Sequence, residues 1–153
     1  MGKVRSFTSP SKMRKILLVE DNEGDQVLVQ EALIEAKIVN ELVIAKDGEE
    51  AMEAIDREIP LFIFLDLNLP KMDGRDVLKK IRENDRTRNV PVVILTSSTA
   101  EEDIVKSYDL CANCFVSKPL NFEKFMHVVA SVADFWLTIV QIPRSTDEQR
   151  IAG

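Results

Sequence analysis

The feature that most constrains this chain is a series of five short apolar runs separated by longer amphipathic stretches. The runs are Ile16–Val19, Leu42–Ala45, Leu61–Leu65, Val92–Leu95 and the short pair Phe115-Val116. Apolar runs of this length, without polar alternation, are typical of strands that are covered on both faces. Five such runs with amphipathic stretches between them predict one α/β domain with a parallel sheet and right-handed crossovers.

Apolar residues at helical spacing predict a helix after each strand. Helix 1 is predicted from about Glu23 to Lys37, helix 2 ends near Pro60, and helix 3 begins at Asp73-Gly74. Helix 4 covers roughly Ala100 to Leu110, and helix 5 runs from a capping Asn121 to about Gln141. Five strands fit the doubly wound, flavodoxin-like order 2-1-3-4-5 better than a six-stranded dinucleotide fold. Sites in such sheets lie at the carboxyl ends of the strands, beside the switch point between strands 1 and 3.

Chemically versatile side chains stand at that edge after predicted strands 1, 3, 4 and 5. They are Glu20-Asp21 after strand 1, Asp66 after strand 3, Thr96-Ser97 after strand 4 and Lys118-Pro119 after strand 5. The carboxyl ends of parallel strands share one edge, so we expect three carboxylates, a hydroxyl and an ammonium to converge on one crevice.

The chemistry of this set is that of phosphoryl transfer to a carboxylate. Closely packed carboxylates favour protonation or a bound cation, and an oxygen-only site suits Mg²⁺, which also binds phosphate oxygens. A carboxylate can act as a nucleophile and form an aspartyl phosphate. The phosphoryl charge would then be met by Mg²⁺, by Lys118 and by the Thr96 hydroxyl. No general base is needed, because an ionised carboxylate is already nucleophilic.

Four separated motifs in this order resemble the signature of response-regulator receiver domains. They are Val19-Glu20-Asp21-Asn22, Asp66 to Gly74, Leu95-Thr96-Ser97 and Lys118-Pro119. The resemblance spans roughly Lys15 to Trp136. It implies a Mg²⁺-dependent switch of two-component signalling, phosphorylated by a sensor histidine kinase and without turnover of external substrates.

The resemblance also implies a role for each matching position. Asp66 is the phosphoacceptor, and Glu20, Asp21, Asp66 and the backbone carbonyl of Asn68 organise Mg²⁺. Thr96 and Lys118 contact the phosphoryl oxygens. Thr96 and Phe115 form the switch that alters the surface of helix 4, strand 5 and helix 5.

A narrower resemblance links the chain to the small response regulators that partner cyanobacterial and bacterial phytochrome kinases. It is carried by Asn40–Val43, Ser107-Tyr108, Asn113–Phe115 and Phe135–Leu137. It implies a phytochrome as the partner kinase.

Two rival functions differ from that of a receiver in the residues that they require. A phosphatase or phosphotransferase similar to haloacid dehalogenases would carry a second acid two residues after its nucleophile, where this chain has Asn68. A receiver-shaped interaction module that is never phosphorylated would not need Asp21, Asp66, Thr96 and Lys118 together.

Several other residues have a structural interpretation that we favour over a functional one. Asp25 is expected to serve the dipole of helix 1, and Asp47 to form a turn. Cys111 and Cys114 match CxxC, but no further zinc ligands accompany them, so small buried hydrophobes are favoured over a redox or zinc role. We expect His127 at the surface or its boundary. The basic residues Lys79, Lys80, Arg82, Arg86 and Arg88 are expected to form a solvated face and loop, with a partner contact as the alternative.

The last predicted helix carries more apolar surface than one face can bury. A second stripe includes Phe135, Ile139 and Ile142, and an exposed stripe of that size usually marks an interface. We favour a homodimer through this helix and the adjoining strand region over packing against the chain's own leader or tail.

The domain boundaries predicted from the pattern are a mobile leader over 1–14, the receiver over 15–142 and a polar tail over 143–153. A tail of this length has no room for an output domain, so the receiver is expected to stand alone. The net charge of −6 argues against binding nucleic acid or anionic membranes, which need basic surface. Two cysteines and no export signal predict the cytosol.

Overall fold

The computed structural model describes residues 13–97 and 114–133. Its elements are β1 (Ile16–Val19), α1 (Glu23–Glu35), β2 (Leu42–Ala45), α2 (Gly48–Arg57), β3 (Phe62–Asp66), α3 (Gly74–Glu83), β4 (Val92–Thr96), β5 (Cys114–Ser117) and α4 (Phe122–Ala133). The helix predicted over 100–110, the continuation of the last helix to 141 and the interface residues Phe135, Ile139 and Ile142 lie outside the described residues, as do Cys111, most of the leader and the tail.

The five strands form one parallel sheet in the order β2-β1-β3-β4-β5, which confirms the predicted topology. The predicted end of β3 was one residue short. Asp66 is in register with Leu95, and the Leu67 amide donates to the Leu95 carbonyl at 3.2 Å. The ladder with β4 therefore includes Asp66, so the sheet fixes the position of its backbone.

Alternate residues of the strands build a separate core on each face of the sheet. On one face, Phe64 contacts Phe62 edge-on with ring centroids 5.4 Å apart, and it contacts Phe125 of α4 at 5.6 Å. On the other face, Ile63 and Leu65 pack with the apolar residues of α2 and α3. Helices α1 and α4 cover the first face, and α2 and α3 cover the second. The two cores fix the sheet from both sides, and the carboxyl ends of its parallel strands lie along one edge.

Each described helix begins with an Asn or Asp whose side chain accepts a backbone N–H of the first turn. These residues are Asn22, Asp47, Asp73 and Asn121. Asp47, which the sequence placed in a turn, caps α2 by accepting from the Glu50 amide at 2.9 Å. Glu50 accepts in return from the Lys46 amide at 2.8 Å, close to a capping box. The caps satisfy N–H groups that the helices leave unpaired.

Cys114 and His127 have the structural roles expected from the sequence. Cys114 is half-buried in β5 and packs against the core that contains Phe64. Burial raises the pKa of its thiol, which disfavours the thiolate that redox or zinc chemistry requires. His127 is exposed on α4.

Arg82 differs from the solvated face expected for the basic cluster. It is half-buried, and its Nη1 donates to the carbonyls of Arg88 at 3.0 Å and Val90 at 2.7 Å. Arg82 therefore closes the loop between α3 and β4. Arg14 was predicted to belong to the leader. Its side chain donates to the Pro60 carbonyl at 2.7 Å, so Arg14 contacts the domain.

Candidate functional site

A crevice at the carboxyl edge of the sheet collects residues from the loops that follow β1, β3, β4 and β5. Its lining residues are Glu20, Asp21, Asn22, Glu23, Gly24, Asp25, Asp66, Asn68, Ser97, Lys118 and Pro119. This is the edge and the switch point that the strand order predicted.

Glu20 is fixed at the end of β1 by contacts on its backbone and its side chain. Its amide donates to the Ala45 carbonyl at 2.9 Å, and its own carbonyl accepts from Gln26 Nε2 at 2.7 Å. Glu20 Oε2 accepts from the Asn22 amide at 3.1 Å. The residue is fully buried, so its carboxylate depends on these partners and on Lys118 for compensation.

Asp66 carries a hydrogen-bond donor on each of its carboxylate oxygens. Oδ1 accepts from the Asn68 amide at 2.9 Å, and Oδ2 accepts from Lys118 Nζ at 3.2 Å. Only 2% of the residue is exposed. The two contacts fix the orientation of the carboxylate.

Lys118 is the centre of an ion-pair network that joins three elements. Its Nζ lies 3.0 Å from Glu20 Oε1, 3.0 Å from Asp25 Oδ2 and 3.2 Å from Asp66 Oδ2. Its amide donates to the Thr96 carbonyl at 2.7 Å, so the loop after β5 is tied to β4. The ammonium therefore neutralises part of the charge of three carboxylates.

Asp25 is the residue that the sequence interpretation missed. We expected it to serve only the dipole of α1, but its side chain reaches Lys118. Asp25 follows Asp21 by four residues, in the first turn of a helix that starts at the site. The sequence could have indicated this contact, because α1 begins only a few residues after β1 and its first turn therefore lies near the site.

Glu20 and Lys118 have strongly shifted pKa values. Burial, followed by the neighbouring Asp66 charge, raises the pKa of Glu20 to about 7, and the hydrogen bond from Lys118 offsets only part of this. Burial alone would lower the pKa of Lys118, but Asp25, Glu20 and Asp66 together hold that pKa above its usual value. Lys118 is therefore charged, whereas Glu20 exchanges a proton near neutral pH.

The two predicted switch residues lie beside the crevice rather than in its lining. Thr96 is 1% exposed, and the next residue, Ser97, lines the crevice and accepts from Asn68 Nδ2 at 3.4 Å. Phe115 is half-buried and packs against the core on the side of α2 and α3. Their roles as contact and switch residues stay predictions.

The acidic side chains have the geometry of a cation site. One carboxylate oxygen from each of Glu20, Asp21 and Asp66 lies within 4.8 Å of the others. Glu20 and Asp66 are buried and Asp21 is exposed, so a cation bound there could keep some of its water. A cluster of oxygen donors open on one side fits a hard divalent ion.

Comparison with protein families identifies the family to which a chain with this fold and this crevice belongs. The response regulator receiver domain model matches residues 16–130. The chain belongs to this family. The assignment confirms the resemblance that the four strand-end motifs carried, and it makes the receiver domain a component of two-component signalling.

The relatives of the receiver domain are response regulators, and a phytochrome response regulator is among them. Response regulator Rcp1 of Synechocystis is 41% identical over 143 residues, which cover 89% of this chain and 96% of Rcp1. The crystal structure of the phosphorylated cyanobacterial phytochrome response regulator RcpA is 42% identical, with a TM-score of 0.71 over 82% of this chain and 95% of RcpA. The Mn²⁺-bound form of Rcp1 is 42% identical, with a TM-score of 0.70 and the same coverage.

Among the helices that the structure describes, none is both long and apolar enough to cross a membrane. The cytosolic location inferred from the sequence stays a prediction.

The raised pKa of Glu20 predicts an unusual pH dependence of stability in the receiver domain without metal. The pKa in the fold, about 7, exceeds the ordinary value of 4.5, so between these values the folded state binds more protons than the unfolded state. The free energy of unfolding therefore falls as pH rises through this window. Glu20→Gln is expected to remove this fall and to stabilise the metal-free protein at pH 8 by roughly 1–3 kcal/mol.

Urea denaturation in EDTA at pH 5.5 and pH 8 measures this difference. Glu53→Gln, at an exposed position of α2, is the control for loss of one charge, and it should keep the wild-type pH slope. A wild-type stability that is flat or rises over the window would contradict the prediction.

Proposed function

We propose that this receiver domain accepts a phosphoryl group on Asp66 from a phosphohistidine of a sensor histidine kinase, in a reaction that requires Mg²⁺. The observation that carries the proposal is the environment of Asp66. It is a buried carboxylate with a donor on each oxygen and two further carboxylates within 4.8 Å. Such a group is oriented by its contacts, as a nucleophile must be.

The transfer needs little from the protein beyond position and charge. A carboxylate oxygen of Asp66 attacks phosphorus while the P–N bond to the donor imidazole breaks. The electron pair of that bond stays on the imidazole nitrogen, which takes up a proton, and Asp66 becomes an acyl phosphate. Lys118 already lies 3.2 Å from Asp66 Oδ2 and meets the charge of the transferred group. The Thr96 hydroxyl is proposed as the next contact.

Glu20, Asp21, Asp66 and the backbone carbonyl of Asn68 are the groups that would hold Mg²⁺. When bound, Mg²⁺ would offset the charge of the carboxylates and of the phosphoryl oxygens. The all-oxygen donor set favours this ion, and the Mn²⁺-bound structure of Rcp1 supports a divalent cation in a relative.

We infer that phosphorylation is read out as a change of surface rather than as turnover of a substrate. The new group adds about −1.5 to −2 charges beside Thr96 and Lys118. Thr96 would move toward it and Phe115 would turn inward. These movements would shift the equilibrium between two conformations of the surface that includes β5 and α4. Asn68, rather than an acid, stands two residues after Asp66 and argues against catalysis on external substrates. The phytochrome response regulators among the relatives support a phytochrome as the kinase.

We further propose that the receiver forms a homodimer through its last helix and the adjoining strand region. The support is the second apolar stripe in the sequence, with Phe135, Ile139 and Ile142. Size-exclusion chromatography with light scattering, before and after phosphorylation, tests this proposal. A monomer in both states at all concentrations would rule it out.

Incubation with a small phosphodonor tests the assignment of Asp66 and the metal. With Mg²⁺, intact mass should show one phosphoryl group added, and peptide mapping should place it on Asp66. With EDTA the adduct should be lost. An adduct that forms equally well in EDTA would contradict the metal requirement, and an adduct at another residue would contradict the acceptor.

A further inference from the structure

We propose that Asp25 competes with the phosphoryl group for the Lys118 ammonium and thereby limits phosphorylation of the receiver. Asp25 is a positioning residue in this proposal, because it acts on the reaction through Lys118. The inference rests on the proposed function of Asp66. It adds that a residue of α1, Asp25, lowers the rate at which Asp66 is phosphorylated.

The ammonium of Lys118 is shared by the carboxylates of three residues. An ammonium has three N–H groups, and three carboxylates from different parts of the chain lie within 3.2 Å of Nζ: Glu20 Oε1 at 3.0 Å, Asp25 Oδ2 at 3.0 Å and Asp66 Oδ2 at 3.2 Å. A phosphoryl group that binds Lys118 therefore competes with these carboxylates for its positive charge.

Asp25 differs from the other two carboxylates in what phosphorylation does to it. Asp66 becomes the acyl phosphate and loses its carboxylate charge, and Glu20 is one of the groups assigned to the cation. Asp25 has neither role, so its charge and its hold on Lys118 persist. It remains the competitor within the described network.

Within residues 13–97 and 114–133, the contact of the Asp25 carboxylate is the one to Lys118. The cap of α1 uses the Asp25 backbone amide, which donates to Asn22 Oδ1 at 2.8 Å, and leaves the carboxylate for Lys118. The side chain is 21% exposed and Lys118 is 16% exposed, so solvent screens this ion pair less than one at the surface. Asp25 also lines the crevice, where its charge repels an anionic phosphodonor.

The test compares Asp25→Asn with the wild type at saturating Mg²⁺. Isothermal titration calorimetry with beryllofluoride, a phosphoryl analogue, gives the affinity, and intact mass over time with acetyl phosphate gives the rate. Removing the competitor should raise both by about fivefold, the effect of a partly screened ion pair. The gain should shrink at high salt.

Three variants separate competition from other effects. Asp25→Glu keeps the charge and should stay near the wild type. Glu31→Gln removes a charge at an exposed position further along α1 and should leave both measurements unchanged. Asp25→Ser also lacks the charge and should behave as Asp25→Asn does, which keeps the test available if the asparagine variant does not fold.

Each contrary result has a distinct meaning. Affinity and rate that stay at the wild-type value in Asp25→Asn and Asp25→Ser would overturn the proposal. A decrease would also overturn it, because Asp25 would then hold Lys118 in its productive position. An equal gain in Glu31→Gln would replace competition with a general charge effect. Failure of the wild type to bind beryllofluoride or to be phosphorylated would instead overturn the assignment of Asp66, and this proposal with it.

Discussion

Asp66→Asn is expected to abolish phosphorylation of this receiver domain, with a loss of at least ~10²-fold in the rate of adduct formation. The asparagine side chain matches aspartate in size, and its oxygen can still accept from the Asn68 amide, which now bonds Asp66 Oδ1 at 2.9 Å. The amide group lacks the charge and the basicity that attack on phosphorus requires. The measurement is intact mass after incubation with Mg²⁺ and acetyl phosphate.

The same variant should fold at least as well as the wild type when metal is absent. It removes one negative charge from a cluster in which Glu20 and Asp66 are buried together, and like charges at that distance repel. Asp76→Asn, at an exposed position of α3, is the matched control and should be phosphorylated normally. An undiminished adduct on Asp66→Asn would place the phosphoacceptor elsewhere.

Gly74→Ala is expected to destabilise the fold by about 2–4 kcal/mol, the range of severe overpacking. A Cβ at residue 74 would lie 2.4 Å from the Asp66 carbonyl oxygen and 2.5 Å from Leu67 Cα. Both are backbone atoms, so the end of β3 and the residues after it must shift. Because Asp66 and Asn68 belong to that segment, the affinity for Mg²⁺ should fall as well.

Gly24→Ala is the matched control for this prediction. Gly24 is also in the first turn of a helix, but its nearest neighbour for an added Cβ is the Asn22 side-chain oxygen at 3.2 Å. The free energy of unfolding from urea titration should change by less than about 1 kcal/mol there. Equal effects of the two substitutions would show that the close approach at Gly74 is unimportant.

Much of the fold could be predicted because the signals are local. Buried parallel strands need continuous apolar runs, and the runs at Ile16–Val19 and Leu42–Ala45 match β1 and β2 residue for residue. The end of β3 was misplaced because Asp66 is polar, yet it still pairs with β4. Asp47 was read as a turn residue, since capping and turn formation use the same residue types.

The sequence by itself identified the strands and favoured their order, and it thereby predicted the edge on which Glu20, Asp21, Asp66 and Lys118 meet. That follows from apolar runs, right-handed crossovers and the position of polar residues after strands. Only the tertiary structure decided which carboxylates share the Lys118 ammonium, that Asp25 is one of them, and that Ser97 rather than Thr96 lines the crevice. Side-chain direction and burial depend on residues that are distant in the chain, such as Glu20 and Lys118, which are 98 positions apart. The same burial raises the pKa of Glu20 to about 7, because desolvation is a property of the folded surroundings and not of the residue type.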